Sequence, residues 1–151
     1  GEPASLAGLT GKPVLMSFIY TRCAVPNMCP LTTRNVARVQ ALLSAEERAA
    51  VKLVSLTFDP EYDTREVLRD YAKSYGSDLA SWEFWRGSKE DTTKLMDAFS
   101  VWAKEAGGEY AHNMRSVILG PDGSLSRVLR DSTWDAEEAA AHLRELATAP
   151  G

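Results

Sequence analysis

The run PVLMSFIY, Pro13 to Tyr20, sets the first constraint on the fold. Its apolar residues do not alternate with polar ones, as they would in a strand with one wet face, and it is too short for a buried helix. A run of this kind fits a central strand covered on both faces, which calls for helices on either side of a sheet. VKLVSLTF, Val51 to Phe58, makes the same demand a second time. Between the two, LTTRNVARVQALLSAEERAA (31–50) sets Val36, Val39, Leu42 and Leu43 at helical spacing and reads as one helix. Pro30 suits its first turn, where the missing N–H would be unpaired anyway.

The alternation continues along the chain. DPEYDT leads into a helix over 64–76, with Asp63 or Thr64 as its cap and Gly76 as its stop. SWEFWRG (81–87) reads as a third strand, and SKEDTTKLMDAFSV (88–101) as a helix capped by Ser88. RSVILGPDGSLSRVLRD (115–131) has the form of a hairpin turned on Gly120-Pro121-Asp122-Gly123. DAEEAAAHLRELATA (135–149) closes the chain as a helix with acids in its first turn, where they suit the helix dipole. This order implies an α/β fold in one domain covering residues 1–151, with a largely parallel sheet and an antiparallel edge from the hairpin. In such sheets functional groups collect at the carboxyl ends of strands.

Both cysteines of the chain lie at such an end, in YTRCAVPNMCPLTT (Tyr20 to Thr33). A structural disulfide between Cys23 and Cys29 closes a short loop and is worth roughly 2 kcal/mol, which a domain of this length does not need. A redox pair and a soft-metal site both have a mechanism. A thiol at a helix N-terminus, the position expected for Cys29, is driven toward thiolate, and thiolate is both the nucleophile of disulfide exchange and a soft ligand for Cu(I). A structural zinc site wants four ligands, which the chain does not supply alongside this pair. Of the two histidines, His142 reads as a surface or half-buried residue of the last helix. His112, in GGEYAHNMRSVIL, reads as a loop residue, just before a strand and after a glycine pair.

The net charge of −4 argues against a nucleic-acid partner, which would demand a basic face. No apolar run is long enough to span a membrane. The chain begins at Gly1 without a methionine, so it is expected to be the soluble part of a longer anchored or secreted protein.

Four ordered motifs together resemble the Sco/SenC family of copper-binding thioredoxin-like proteins. GKPVLMSFIYTRC is similar to the family's strand leading into a Tyr-Thr-x-Cys motif, and CPLTT to its second Cys-Pro at a helix start. LTFDPEYDTREVLRDYAKSYG is similar to its Asp-Pro-x-x-Asp-Thr turn and following helix, and His112, nine residues before Pro121, to its histidine ahead of a Pro-Asp-Gly hairpin. The resemblance implies a thioredoxin-like fold with a central mixed sheet flanked by helices, and a copper site, Cu(I) or Cu(II), made by Cys23, Cys29 and His112. Asp59 matches an acidic residue close to that site, able to orient a ligand or to cap the turn before the next helix. The implied role is assembly of the binuclear copper centre of cytochrome c oxidase, with the oxidase subunit or another copper chaperone as partner. The implied location is periplasmic or otherwise extracytoplasmic, on a membrane anchor that precedes this segment.

The chain departs from the family at the site. Five residues separate the cysteines instead of three, and Ala24 to Met28 must loop out for both sulfurs to face one metal. Pro26-Asn27 is a suitable turn pair for that. Met28 reads as loop packing and Met114 as packing or the rim of the site. Trp82, Trp85, Trp102 and Trp134 read as core or rim. Two other classes stay open: a metal-free thiol–disulfide oxidoreductase using Cys23 and Cys29 as its catalytic pair, and a binding module with a structural disulfide. A peroxiredoxin lacks support, since its Thr-x-x-Cys pattern is absent.

Overall fold

The computed structural model describes residues 4–107 and 109–149. After a 3-10 turn at Leu6–Leu9, the chain runs β1 (Val14–Ile19), α1 (Cys29–Leu42), α2 (Ala45–Ala50), β2 (Lys52–Thr57), α3 (Arg65–Ser74), β3 (Trp82–Trp85) and α4 (Lys89–Ala98). It continues through β4 (Ala103–Ala106), β5 (Glu109–His112), β6 (Arg115–Leu119), β7 (Leu125–Arg130) and α5 (Ala136–Thr148). The main sheet has the order β3-β2-β1-β6-β7. β1, β2 and β3 are parallel, β6 runs antiparallel to β1, and β7 antiparallel to β6. This is the central mixed sheet flanked by helices that the resemblance implied.

All of β1 is buried, as its lack of alternation required, because each face of the sheet carries its own core. On one face Leu15, Leu53 and Ile118 pack with Val36 and Val39 of α1 and with Ala139, Ala140 and Leu143 of α5. On the other, Val14, Met16, Phe18, Val54, Leu56 and Val117 pack with Leu95 and Met96 of α4 and with Phe99 just beyond it. The period-2 pattern of a strand divides neighbouring residues between the two cores. Polar residues that the pattern also buries are satisfied in place: Ser17 and Ser116 hydrogen-bond at 2.9 Å, and the Trp82 indole donates to Ser55 Oγ at 2.9 Å.

Three expectations are corrected. The helix read over 31–50 is two. Leu43 is extended, and Ser44 starts α2 with a capping box: its Oγ accepts from Glu47 N (3.2 Å) while Glu47 Oε2 accepts from Ser44 N (2.8 Å). The helix read to 101 ends at Ala98, where Ser100 takes φ +56° and Arg115 Nη1 donates to the carbonyls of Phe99 and Ser100. The segment ahead of β6, expected to be a loop, forms the β4–β5 pair as a separate two-stranded sheet. Thr64 rather than Asp63 caps α3, accepting from Val67 N, and Gly76 at φ +68° ends it. The GPDG hairpin turn stands as read, with Gly123 at φ +83°.

Candidate metal centre

Three separate pieces of chain bring the site together. β1 ends beneath Tyr20, and a turn closed by Cys23 N donating to Tyr20 O (3.3 Å) presents Cys23. The chain then bulges through Pro26-Asn27, closed by Met28 N donating to Val25 O (3.1 Å), so the extra residues turn outward while the cysteines converge. Cys29 is the first residue of α1, with Pro30 in the first turn. Thr33 Oγ1 and Ser132 Oγ donate to the carbonyls of Cys29 and Met28, which fixes that helix start. The third piece is β5, whose last residue, His112, pairs with Ala103.

The sulfurs of Cys23 and Cys29 and a ring nitrogen of His112 all lie within 4.8 Å of one another. Cys29 is fully buried, and Cys23 and His112 are each 7% exposed, so Cys23 and the imidazole are the way in. Cys29 Sγ lies 3.8 Å from His112 Nε2. His112 Nδ1 lies 2.9 Å from the carbonyl of Asn113. A carbonyl only accepts, so Nδ1 carries the proton and Nε2 turns a lone pair toward the sulfurs. Two soft sulfur donors and one imidazole lone pair, shielded from water, match the preferences of copper.

The two thiols share one easily lost proton. The Cys29 S–H donates to the Cys23 sulfur and holds the Cys23 thiol down at about 4; burial opposes this, and the neighbouring His112 side chain and the backbone at Val25 and Cys29 assist. Cys29 is pushed strongly up, by its bond to Cys23, by burial and by the Cys23 charge. This corrects the reading of Cys29 as the acidified thiol. The helix start does donate backbone charge, but a neighbouring thiol in direct contact outweighs it.

Around the imidazole stands an aromatic cage. The ring centroids of Phe58 and Tyr20 lie 5.0 and 5.4 Å from that of His112, and Tyr110 packs on both rings at 5.5 and 5.1 Å. Asp59 sits just outside. It accepts from Arg22 Nη2 (2.8 Å) and from the Tyr110 hydroxyl (3.2 Å), which ties the cysteine turn to the strand that carries His112. The hydrogen bond that orients His112 is instead the one its Nδ1–H donates to the Asn113 carbonyl. Arg22 also lies over the Tyr62 ring at 4.0 Å. Burial and then the Asp59 charge push the Tyr110 phenol up to about 12.

Asp63, read from sequence only as a cap, is a fully buried strut beneath the site. It accepts from Thr21 N (3.1 Å), from the Thr21 hydroxyl and from Thr57 Oγ1 (2.5 Å). The paired acids of DPEYD were the available signal for it. Met28 packs partly buried against the core on this side of the sheet, and Met114 is buried within it. His142 is far from the site in sequence and in fold, bonded to Ser126 Oγ at 2.8 Å.

Residues 1–148 match the family model described as SCO1/SenC. A curated relative, the SCO1 protein homolog of Bacillus subtilis, is 30% identical over 135 residues, covering 87% of this chain and 67% of that one. The chain spans about two thirds or less of the length of the curated relatives it matches. Among solved structures, a SCO1/SenC family lipoprotein of Bacillus anthracis superposes with a TM-score of 0.85 at 26% identity, covering 97% of this chain and 88% of that one. BsSco, described with a disulfide switch and as a member of the Sco family of cytochrome c oxidase assembly proteins, gives 0.84 at 26%, with 99% and 88% covered. Copper-bound ScoI of Bradyrhizobium japonicum gives 0.73 at 26%, with 93% and 88% covered.

Proposed function

The chain belongs to the SCO1/SenC family, and from that membership we propose that it binds one copper ion as cargo through Cys23, Cys29 and His112 and assists assembly of the binuclear copper centre of cytochrome c oxidase. The observation that carries this reading is the convergence of two buried sulfurs and the His112 ring nitrogen within 4.8 Å, with Nδ1 engaged by Asn113 so that Nε2 is free to bind. The copper-bound relative and the relative described as an oxidase assembly protein support the cargo and the destination. The copper-centre subunit of the oxidase, or another copper chaperone, is the proposed partner. The lipoprotein relative supports an extracytoplasmic, membrane-anchored setting. Among the described residues no helix is long and apolar enough to cross a membrane, so the proposed anchor is a segment outside those described here.

Each residue has a part in that reading. Cys23, already ionised near neutral pH, meets an incoming ion first. Cys29 supplies the second sulfur once its proton is released. His112 adds the harder donor that Cu(II) wants and Cu(I) does without. Asp59 is proposed to act from outside, holding Arg22 and Tyr110 so that the cysteine turn and the histidine strand keep their spacing. The test is His112→Ala. The thiolate-to-Cu(II) charge-transfer absorption should vanish while Cu(I) binding by the two cysteines largely survives; an unchanged Cu(II) spectrum would exclude His112 as a ligand.

The acidity of Cys23 favours a second reading, thiol–disulfide exchange with a partner protein. The Cys23 thiolate attacks one sulfur of the partner's disulfide, forming a mixed disulfide and releasing the other sulfur as thiolate. Cys29 gives up its proton, for which His112 Nε2 at 3.8 Å is the neighbouring acceptor, and displaces the partner's second thiolate. The chain ends oxidised as Cys23–Cys29 and the partner ends reduced. Multiple turnovers with a disulfide substrate, in a protein that shows no copper absorption, would make this the principal activity.

A further inference from the structure

His112 hangs on a part of the fold that the main sheet does not hold. Among the described residues β4 and β5 pair only with each other, and most of their side chains face water. Where this pair joins the body of the protein, one side chain ties its two ends together. Asn113 Oδ1 accepts from Trp102 N (2.9 Å), and Asn113 Nδ2 donates to the carbonyl of Ser100 (2.9 Å). Asn113 N adds a bond to the carbonyl of Trp102 at 3.3 Å. An amide oxygen only accepts and an amide N–H only donates, so these partners fix which way round the side chain lies. Ser100, at φ +56°, is itself held: its N–H donates to Asp97 O (3.1 Å), and its carbonyl also accepts from Arg115 Nη1 (3.2 Å). The carbonyl of Asn113 in turn takes the Nδ1 proton of His112 at 2.9 Å. One residue therefore grips the segment that follows α4 with its side chain and the imidazole with its backbone.

We propose that Asn113 is a positioning residue for His112: its side chain fixes the carbonyl that holds the imidazole, keeps Nε2 turned toward the two sulfurs, and so raises the affinity for Cu(II) while leaving that for Cu(I) almost untouched. The copper part rests on the reading above; the hold on the imidazole does not. The asymmetry follows from the ligands. Two thiolates satisfy Cu(I), whereas Cu(II) wants the imidazole as well. A ligand held ready loses less freedom when the ion arrives than one carried on a loose strand. Partners that orient a metal ligand from outside are commonly worth about 10–100-fold in affinity.

Asn113→Ala removes the grip on Trp102 and Ser100 and keeps the backbone carbonyl. Competition with a chelator for each oxidation state should show Cu(II) affinity reduced about tenfold and Cu(I) affinity within about twofold of the parent's. Asn113→Asp, which keeps the acceptor for Trp102 N and loses only the donor to Ser100, should shift Cu(II) affinity in the same direction. Action through the histidine is read from the His112→Ala/Asn113→Ala double variant. Once His112 is gone, adding Asn113→Ala should change Cu(II) affinity by less than about twofold. In the metal-free protein, proton NMR should show a sharp His112 Nδ1–H resonance, protected by its carbonyl partner, that broadens through exchange with water in Asn113→Ala. Equal losses of Cu(I) and Cu(II) affinity, an undiminished Cu(II) affinity, or the same loss with and without His112 overturns the proposal. A parent protein that binds no copper would sink the copper reading, and the ring proton then decides: equal sharpness in parent and variant overturns the hold on the imidazole.

Discussion

Cys29→Ala isolates the contact that sets the acidity of Cys23. The Cys29 thiol is the largest single cause of the low Cys23 value of about 4; His112 and the backbone at Val25 and Cys29 contribute less, and burial opposes them. A hydrogen bond to a charged group is worth about 1.5–3 kcal/mol. At about 1.36 kcal/mol per pKa unit, its loss should raise Cys23 by about 1–2 units, to about 5–6. Cys29→Ser keeps an O–H in the same place, so Cys23 should stay near 4 in that variant. The assay is a pH titration of ultraviolet thiolate absorbance on the reduced, metal-free variants. If Cys29→Ala still titrates near 4, the thiol contact is not the cause of the low Cys23 value. The same shift has a consequence for stability. A thiol depressed in the folded state stabilises it fully only above the unfolded value of about 8.5, and that gain is lost as pH falls through about 4. The melting temperature of the reduced protein should therefore rise between about pH 4 and 8, more than that of the oxidised protein.

Asp63→Asn turns one acceptor oxygen of a buried carboxylate into a donor facing Thr21 and Thr57, which themselves donate. It should cost about 2 kcal/mol and lower the melting temperature by about 4–8 °C; a change under about 1 °C would mean that the strut carries no stability. Ser44→Ala removes the acceptor for Glu47 N at the start of α2 and should cost about 1 kcal/mol, or about 2–4 °C, by thermal unfolding. If α1 and α2 behaved as a single helix, alanine there would be neutral or stabilising.

The elements that could be read from sequence are those whose own residues fix them. The mostly apolar, non-alternating runs of β1 and β2 leave no exposed face to assign, and Gly120-Pro121-Asp122-Gly123 admits little besides a turn. The break at Ser44 was also legible, since Ser44-Ala45-Glu46-Glu47 has the form of a capping box, but the apolar spacing of Leu42 and Leu43 hid it. The β4–β5 pair was not. AKEA and EYAH have no apolar face of their own, and what holds them is tertiary: Tyr110 and His112 lean on Tyr20 and Phe58, and Tyr110 reaches Asp59. For the same reason the family resemblance could nominate Cys23, Cys29 and His112 but nothing in the sequence could order the two thiols by acidity. That order depends on which sulfur points at which, a contact created when β1, α1 and β5 meet.

The central claim is that Cys23 and Cys29 hold a single copper ion. Competition against a Cu(I) chelator, on the reduced protein and on the Cys23→Ser/Cys29→Ser double variant, tests it most directly. One Cu(I) retained by the parent and lost by the double variant is the result expected from two sulfurs and an imidazole nitrogen within 4.8 Å of one another. Equal retention by both proteins, or none by the parent, would contradict it.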